Sequence, residues 1–293
     1  MRSFTTGLTV ATIAGLALVT RRTTRLLRER VLVPAHNPRA FLQQGRQPAT
    51  HTVVVCAGDS LTHGLISANY VELLQQQFGG DGYEFVNAGI NSQLAYNLLQ
   101  RIDEIIACQP DVVTILIGTN DVNATLNHAT TERYRRQQQL PETPTLAWYQ
   151  HNLAAIIDRL RARTTAQIAV LSLPMLGENL TSEMNGRVRA YNAVVQTVAA
   201  QKQITYLPLH EALTAALPPN HTAPPYEGKL GVPLRAALKR YVLRKKWHEI
   251  SADHGLALLT DHIHLNKQGA QIIASLIAGL LETTPSSHGR KAS

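Results

Sequence analysis

A serine hydroxyl is a weak nucleophile until a base takes its proton, and that base must itself be held in one orientation. The sequence offers these parts at two places far apart in the chain. Ala57-Gly58-Asp59-Ser60-Leu61-Thr62 follows an apolar, β-branched run, which puts Ser60 where a strand gives way to a helix. Asp261-His262-Ile263-His264-Leu265-Asn266 comes just before the last helical pattern. Asp261 and His264 stand three apart, so the carboxylate can meet one imidazole nitrogen and leave the other for Ser60. At that spacing His262 points elsewhere and reads as a bystander. Taken singly, Gly-Asp-Ser is an ordinary capped turn and D-x-x-H a common accident. The serine is also outside the G-x-S-x-G elbow, because no glycine lies two residues after it.

Acyl transfer further needs hydrogen-bond donors aimed at the oxygen that becomes negative. Asn87-Ala88-Gly89 and Gly118-Thr119-Asn120-Asp121 each follow a strand-like run. A glycine N–H with no side chain in the way and an asparagine amide both suit the task. Each of these pieces alone is equally well a turn.

The elements that must position them alternate along the chain. Apolar, β-branched runs at 52–57, 83–87, 112–117, 167–173 and 204–209 are nearly continuous in apolar residues, as strands buried on both faces are. Helical patterns lie at 70–78, 94–108, 146–163 and 183–201, and a last one begins near Asn266, a good N-cap. Five strands with intervening helices predict a parallel sheet covered on both sides. Ligands of such sheets bind beyond the carboxyl ends of the strands, where all four motifs fall. Two segments break the alternation: the polar 122–145 and the Pro-rich 217–231 read as long loops. The second leads into 232–250, a basic helical stretch with Leu234, Leu238, Tyr241 and Val242 on one side. It reads as a solvated surface helix, a cleft cover or a membrane contact.

Together and in this order, the four blocks resemble the SGNH hydrolases, the GDSL esterase/lipase family. Gly58-Asp59-Ser60-Leu61 matches the first block, Gly89 the second-block glycine, Gly118–Asp121 the G-x-N-D of the third, and Asp261 with His264 the D-x-x-H. The resemblance spans roughly 52–282. It implies an α/β class chain with a three-layer α/β/α, flavodoxin-like SGNH hydrolase fold and a five-stranded parallel sheet. It also implies a mechanism without cofactor or metal, in which Ser60 attacks an ester carbonyl, His264 is the base and Asp261 holds His264. The Ser60 and Gly89 N–H groups and the Asn120 side chain then form the oxyanion hole.

Charge locates the remaining expectations. The chain carries 28 basic and 20 acidic residues, a net of +8. Residues 1–46 hold eight arginines against Glu29, and Arg290 and Lys291 lie in the tail, so 47–289 carries 18 bases and 19 acids, a net of −1. The excess is therefore a property of the leader, and the interleaved basic and aromatic pattern of a nucleic-acid platform is missing. The leader contains an uncharged run, 3–20, diluted by threonines and marginal against the roughly 20 apolar residues a membrane span needs, so it reads as a span or as a helix lying in the interface. The arginines that follow it place the catalytic domain on the cytoplasmic side by the positive-inside tendency. The sequence thus divides into a hydrophobic, Arg-rich leader (1–46), a hydrolase domain (47–285) with a basic insertion (232–250), and a tail (286–293). The expected partners are a small-molecule or lipid ester and an anionic membrane surface, met through the leader and Arg235–Lys246, and not nucleic acid. An acyl lipid or lysophospholipid is the expected substrate, with an acetylated glycan as the alternative and a catalytically inactive, tethered binding module as the non-enzymatic one. Cys56 and Cys108 read as small core residues. The histidines show no metal-ligand spacing.

Overall fold

The computed structural model describes residues 33–229 and 231–283. The uncharged run 3–20, the arginines through Arg30 and the tail 286–293 lie outside the described residues.

Five parallel strands form the sheet: β1 (Thr52–Gly58), β2 (Tyr83–Gly89), β3 (Val112–Leu116), β4 (Gln167–Leu171) and β5 (Thr205–Leu207), in the order β2-β1-β3-β4-β5. Helices cover both faces. They are α1 (Pro38–Gln44), α2 (Ser60–His63), α3 (Tyr70–Phe78), α4 (Ala95–Gln100), α5 (Ile102–Ala107), α6 (Thr119–Asn123), α7 (His128–Gln137), α8 (Leu146–Arg163), α9 (Glu183–Gln201), α10 (Leu209–Ala215), α11 (Gly231–Tyr241), α12 (Trp247–Asp253) and α13 (Lys267–Thr283). The period-2 alternation of β1 sorts its side chains between two cores. Val53, Val55 and Ala57 pack with α4, α5, α8 and α9, while Val54 and Cys56 pack with α3, α10 and α13. This is the three-layer α/β/α arrangement expected from the sequence.

Register brings the functional ends level. Gly58 pairs with Gly89 on β2 and with Leu116 on β3, so the segments after β1, β2 and β3 emerge side by side. The sheet thereby gathers Ser60, residues 90–93 and Asn120 along one edge.

The structure departs from the expected elements where local polar chemistry overrides periodicity. The helical run 94–108 breaks at Arg101 (φ −113°, ψ 15°), whose guanidinium donates to the carbonyls of Gly58 and Ala88 at 3.1 and 2.8 Å. Serving those carbonyls takes Arg101 off the helical track. The segment 122–145 is not one long loop, because it contains the whole of α7. Asn127 caps that helix through the Thr130 N–H, and only Thr130 and Tyr134 of it are buried, which hides it from an apolar pattern. The basic stretch 232–250 is two helices, with Arg244 (φ 55°) in the break. Residues 217–229 are irregular, as expected. Within the stretch read as leader, α1 is capped by Asn37, starts on Pro38 and buries Phe41 in the core. No helix among the described residues is long and apolar enough to cross a membrane.

Candidate active site

Ser60 is the first residue of α2, a four-residue helix set directly on the end of β1. Asp59 caps it, its Oδ1 accepting the Leu61 N–H at 3.0 Å. Gly64 (φ 76°) closes the helix in the left-handed region that glycine adopts without strain. Gly58 is required by space, since a Cβ there would lie 2.2 Å from Thr62 Oγ1 and 2.5 Å from the Leu116 carbonyl. The turn therefore has one shape, and it sets the Ser60 hydroxyl at the carboxyl edge of the sheet.

The partner residues arrive on the loop between α12 and α13. Leu259 and Leu265 form an isolated antiparallel bridge, so 260–264 is a tight excursion held at its base. Within it Asp261 Oδ1 accepts the N–H groups of Ile263 and His264 at 3.1 and 2.8 Å, and Oδ2 lies 2.7 Å from His264 Nδ1. His264 Nε2 lies 2.9 Å from Ser60 Oγ. The three expected residues are thus one hydrogen-bonded line, all of them buried. Burial pushes the Asp261 carboxyl upward, but the charge and hydrogen bonds of His264 and the Ile263 N–H outweigh it and hold the group below its ordinary 3.8. Asp261 therefore stays ionised beside the imidazole.

His262, read as a bystander, lines the same cavity as Ser60. Its backbone is left-handed (φ 72°), the conformation that lets Asp261 and His264 turn toward each other. Its buried Nδ1 has no partner among the described residues, and its ring packs 6.0 Å from that of Tyr226. Burial lowers its pKa and so favours the neutral ring.

The donors are arranged differently from the sequence expectation. Asn120 lines the cavity with Ser60: its amide nitrogen donates to Asp59 Oδ2 at 3.2 Å and to the Gln93 carbonyl at 3.0 Å, and its Oδ1 accepts the Tyr134 hydroxyl at 2.7 Å. Gly89 is not brought to the cavity. Its N–H donates to Asn87 Oδ1 at 3.0 Å, and a Cβ on it would meet His63 N at 2.1 Å, so its glycine identity answers to packing against α2. Ser92 lies three residues on, with φ 63°, and it lines the cavity with Ser60 and Asn120. The N–H groups of Ser60 and Ser92 make no hydrogen bond among the described residues. Sequence reasoning missed Ser92 because a serine carries no outward mark of a left-handed backbone.

The cavity has a volume of about 340 Å³. One side is the Ser60–His264 line. Pro224, Pro225, Tyr226, Val232, Pro233 and Ile66 supply its apolar wall. The irregular 217–229 segment and the start of α11 thus line the cavity with Ser60. Arg133 adds a cation to the rim, its guanidinium 5.3 Å from the Tyr134 ring. Beneath the site two carboxyls, Asp59 and Asp121, are each pushed up to about 7 by burial. Among the described residues no cluster of three or more His, Cys, Asp or Glu side chains is gathered to hold a metal ion.

One buried carboxylate outside the line bears on it. Glu178 accepts the N–H groups of Leu258 and Leu259 on Oε1 and that of Ala257 on Oε2, each at 2.7 Å, and its Oε2 lies 2.6 Å from His221 Nε2. It fixes the segment that runs directly into Asp261.

Comparison with known proteins places this geometry. Solved structures with the same fold include the acetyl xylan esterase AlAXEase (18% identity, TM-score 0.56, covering 78% of this chain and 99% of that one) and the acetylxylan esterase Axe2 from Geobacillus stearothermophilus (19% identity, TM-score 0.56, 82% and 98%). The lipase/acylhydrolase from Enterococcus faecalis is similar as well (20% identity, TM-score 0.53, 79% and 95%). At these identities the likeness is one of fold. No curated protein matches the chain. The profile of the GDSL-like Lipase/Acylhydrolase family matches residues 56–272, a span that contains the Ser60 turn, the Asn120 turn and the Asp261–His264 loop. The chain belongs to that family of ester-hydrolysing enzymes.

Proposed function

We propose that the protein cleaves carboxylic esters through an acyl-Ser60 intermediate. The observation that carries this is the unbroken line from Ser60 Oγ through His264 to Asp261, at 2.9 and 2.7 Å. As the Ser60 oxygen bonds to the ester carbonyl carbon, its proton passes to His264 Nε2, and Asp261 stabilises the imidazolium. The negative carbonyl oxygen is received by the N–H groups of Ser60 and Ser92 and by the Asn120 amide, which gives up its bond to the Gln93 carbonyl to reach it. Collapse breaks the bond to the alkoxy group, which leaves with the proton from His264. Water then repeats the cycle, releasing the acid and restoring Ser60.

For the substrate, the apolar wall from Ile66 to Pro233 supports an acyl lipid or lysophospholipid, since it offers a hydrocarbon chain more room than an acetyl group fills. The second reading, an acetylated glycan or other small acetyl ester, is supported by the acetyl xylan esterases among the structural relatives. The leader supports attachment to a membrane, with the catalytic domain on the cytoplasmic side. Fractionation of the full chain without detergent tests that attachment, and a chain that stays soluble overturns it.

Labelling by a fluorophosphonate probe tests the mechanism. The wild type is expected to label and Ser60→Ala not to; a folded wild type that fails to label refutes the serine mechanism. A series of nitrophenyl esters separates the substrates. A rate that falls steeply beyond acetyl excludes the lipid.

A further inference from the structure

An amphipathic helix on a folded protein normally turns its i, i+4, i+7 stripe to the core. In α11 that stripe faces out. Leu234, Leu238, Tyr241 and Val242 are 73%, 53%, 53% and 66% exposed, and Leu243 beyond them is 61% exposed. Ala236, on the opposite side of the helix, is its single buried residue. Only two large apolar side chains elsewhere among the described residues, Leu42 and Leu146, are comparably exposed. The patch is therefore concentrated on one element, and that element adjoins the cavity. Val232 and Pro233 in its first turn line the cavity, and the Tyr241 hydroxyl at its other end donates to the Leu65 carbonyl, next to Ile66 of the cavity wall.

Charge says what covers it. Residues 231–253 carry six bases against two acids, Glu249 and Asp253, a net of +4. Asp253 is shared between Lys239 and Lys245, and Arg240 lies over the Trp247 ring. Arg235, Arg244 and Lys246 remain exposed with no ion pair among the described residues. An apolar stripe bordered by unpaired cations is the pattern of a helix that lies in the headgroup layer of an anionic membrane, its apolar side chains in the acyl boundary and its cations on lipid phosphates. A protein partner would have to supply both a hydrophobic groove and acids; the lipid surface supplies both everywhere.

We propose that the Leu234–Leu243 stripe, with Arg235, Arg244 and Lys246, docks the mouth of the Ser60 cavity on an anionic lipid surface. Docking brings Val232 and Pro233 to the acyl boundary, so an ester in the leaflet they face enters the cavity without crossing bulk water. The docking itself is independent of the chemistry; its use in catalysis rests on the ester-hydrolysis reading above.

The test is local to the patch. Cys56 and Cys108 are buried, and burial pushes both thiols up to about 12, so the full chain bearing Val242→Cys takes an environment-sensitive fluorophore at one place. Vesicles of equimolar phosphatidylcholine and phosphatidylglycerol are expected to shift its emission to the blue, and nitroxides on the acyl chains to quench it. Pure phosphatidylcholine is expected to leave it unchanged, and adding Leu234→Ser and Leu238→Ser is expected to abolish the shift. No shift on anionic vesicles overturns the proposal. So does an emission already blue without lipid, whether it grows with protein concentration (a second copy on the face) or does not (the chain's own leader). Turnover of nitrophenyl acetate by the same labelled protein is read in parallel. Its loss with the blue shift retained removes the enzyme reading and leaves the docking; the reverse removes the docking alone.

Discussion

Asn120 donates its side-chain amide to Asp59 Oδ2 across 3.2 Å, and Asp59 is also the residue whose Oδ1 caps the helix opening at Ser60. One buried carboxylate thus sets both the turn that carries Ser60 and the amide of Asn120. Burial raises the Asp59 pKa from 3.8 to about 7, and Asp121 is raised in the same way.

That shift has a sign. Between about pH 4 and pH 7 the folded protein keeps a proton on Asp59 that the unfolded chain has released, so stability falls as pH rises through this window. In Asp59→Asn the melting temperature is expected to fall less between pH 5 and pH 8 than in the wild type, with Asp121 supplying the remaining slope. Asparagine still caps the Leu61 N–H, but it then presents an amide to the Asn120 amide and turns it away. Activity is therefore expected to fall on the order of 10²-fold while stability at pH 8 improves. An unchanged slope of melting temperature against pH removes the argument.

The Asn120 amide is fixed at its other end by Tyr134, whose hydroxyl donates to Asn120 Oδ1 at 2.7 Å. Loss of a side-chain oxyanion donor typically costs about 10²–10³ in kcat, and Asn120→Ala is expected to fall in that range with KM little changed. Tyr134→Phe keeps the amide but frees its orientation, so its loss is expected to be smaller and again in kcat. A Tyr134→Phe effect confined to KM places the hydroxyl in substrate binding instead.

Gly89 and Ser92 separate packing from chemistry. Alanine at 89 meets His63 N at 2.1 Å, so Gly89→Ala is expected to lower the melting temperature and the activity together. Ser92→Gly relaxes a left-handed backbone that costs a non-glycine residue about 1–2 kcal/mol and keeps the N–H, so activity is expected to survive. Ser92→Pro removes the N–H and forces φ toward −65°; it is expected to abolish turnover. Full activity in a folded Ser92→Pro enzyme excludes this N–H from the oxyanion site.

The residues proposed to carry the chemistry were legible as neighbours because the sheet does the gathering. Once 52–57, 83–87 and 112–117 read as parallel strands, Ser60 and Asn120 necessarily share one edge. Asp261 and His264 were legible because three residues suffice to bring a carboxylate to an imidazole. What periodicity does not encode is backbone sign and the direction of a lone donor. Ser92 and His262 both sit at positive φ with side chains that announce nothing, and Gly89, whose type suggested a donor, spends its N–H on Asn87. Helix α7 was invisible for the same kind of reason, since two buried residues and an asparagine cap sustain it.

Glu178 lies outside every motif, yet its carboxylate holds three consecutive N–H groups, those of Ala257, Leu258 and Leu259. A buried donor left without a partner costs about 1–3 kcal/mol, so Glu178→Ala is expected to lose roughly 3 kcal/mol or more. In a domain of this size each kcal/mol moves the melting temperature by about 2–4 °C, which makes the expected drop roughly 10 °C. Glu178→Gln keeps an acceptor for Leu258 and Leu259 and is expected to lose less. His221 touches only the outer oxygen, so His221→Phe leaves the three amides satisfied and is expected to change stability by about 1 kcal/mol at most. The segment held by Glu178 runs into Asp261 within two residues, so well below the melting temperature Glu178→Ala is also expected to slow fluorophosphonate labelling of Ser60. A purely structural role lowers the melting temperature and leaves that labelling rate at the wild-type value.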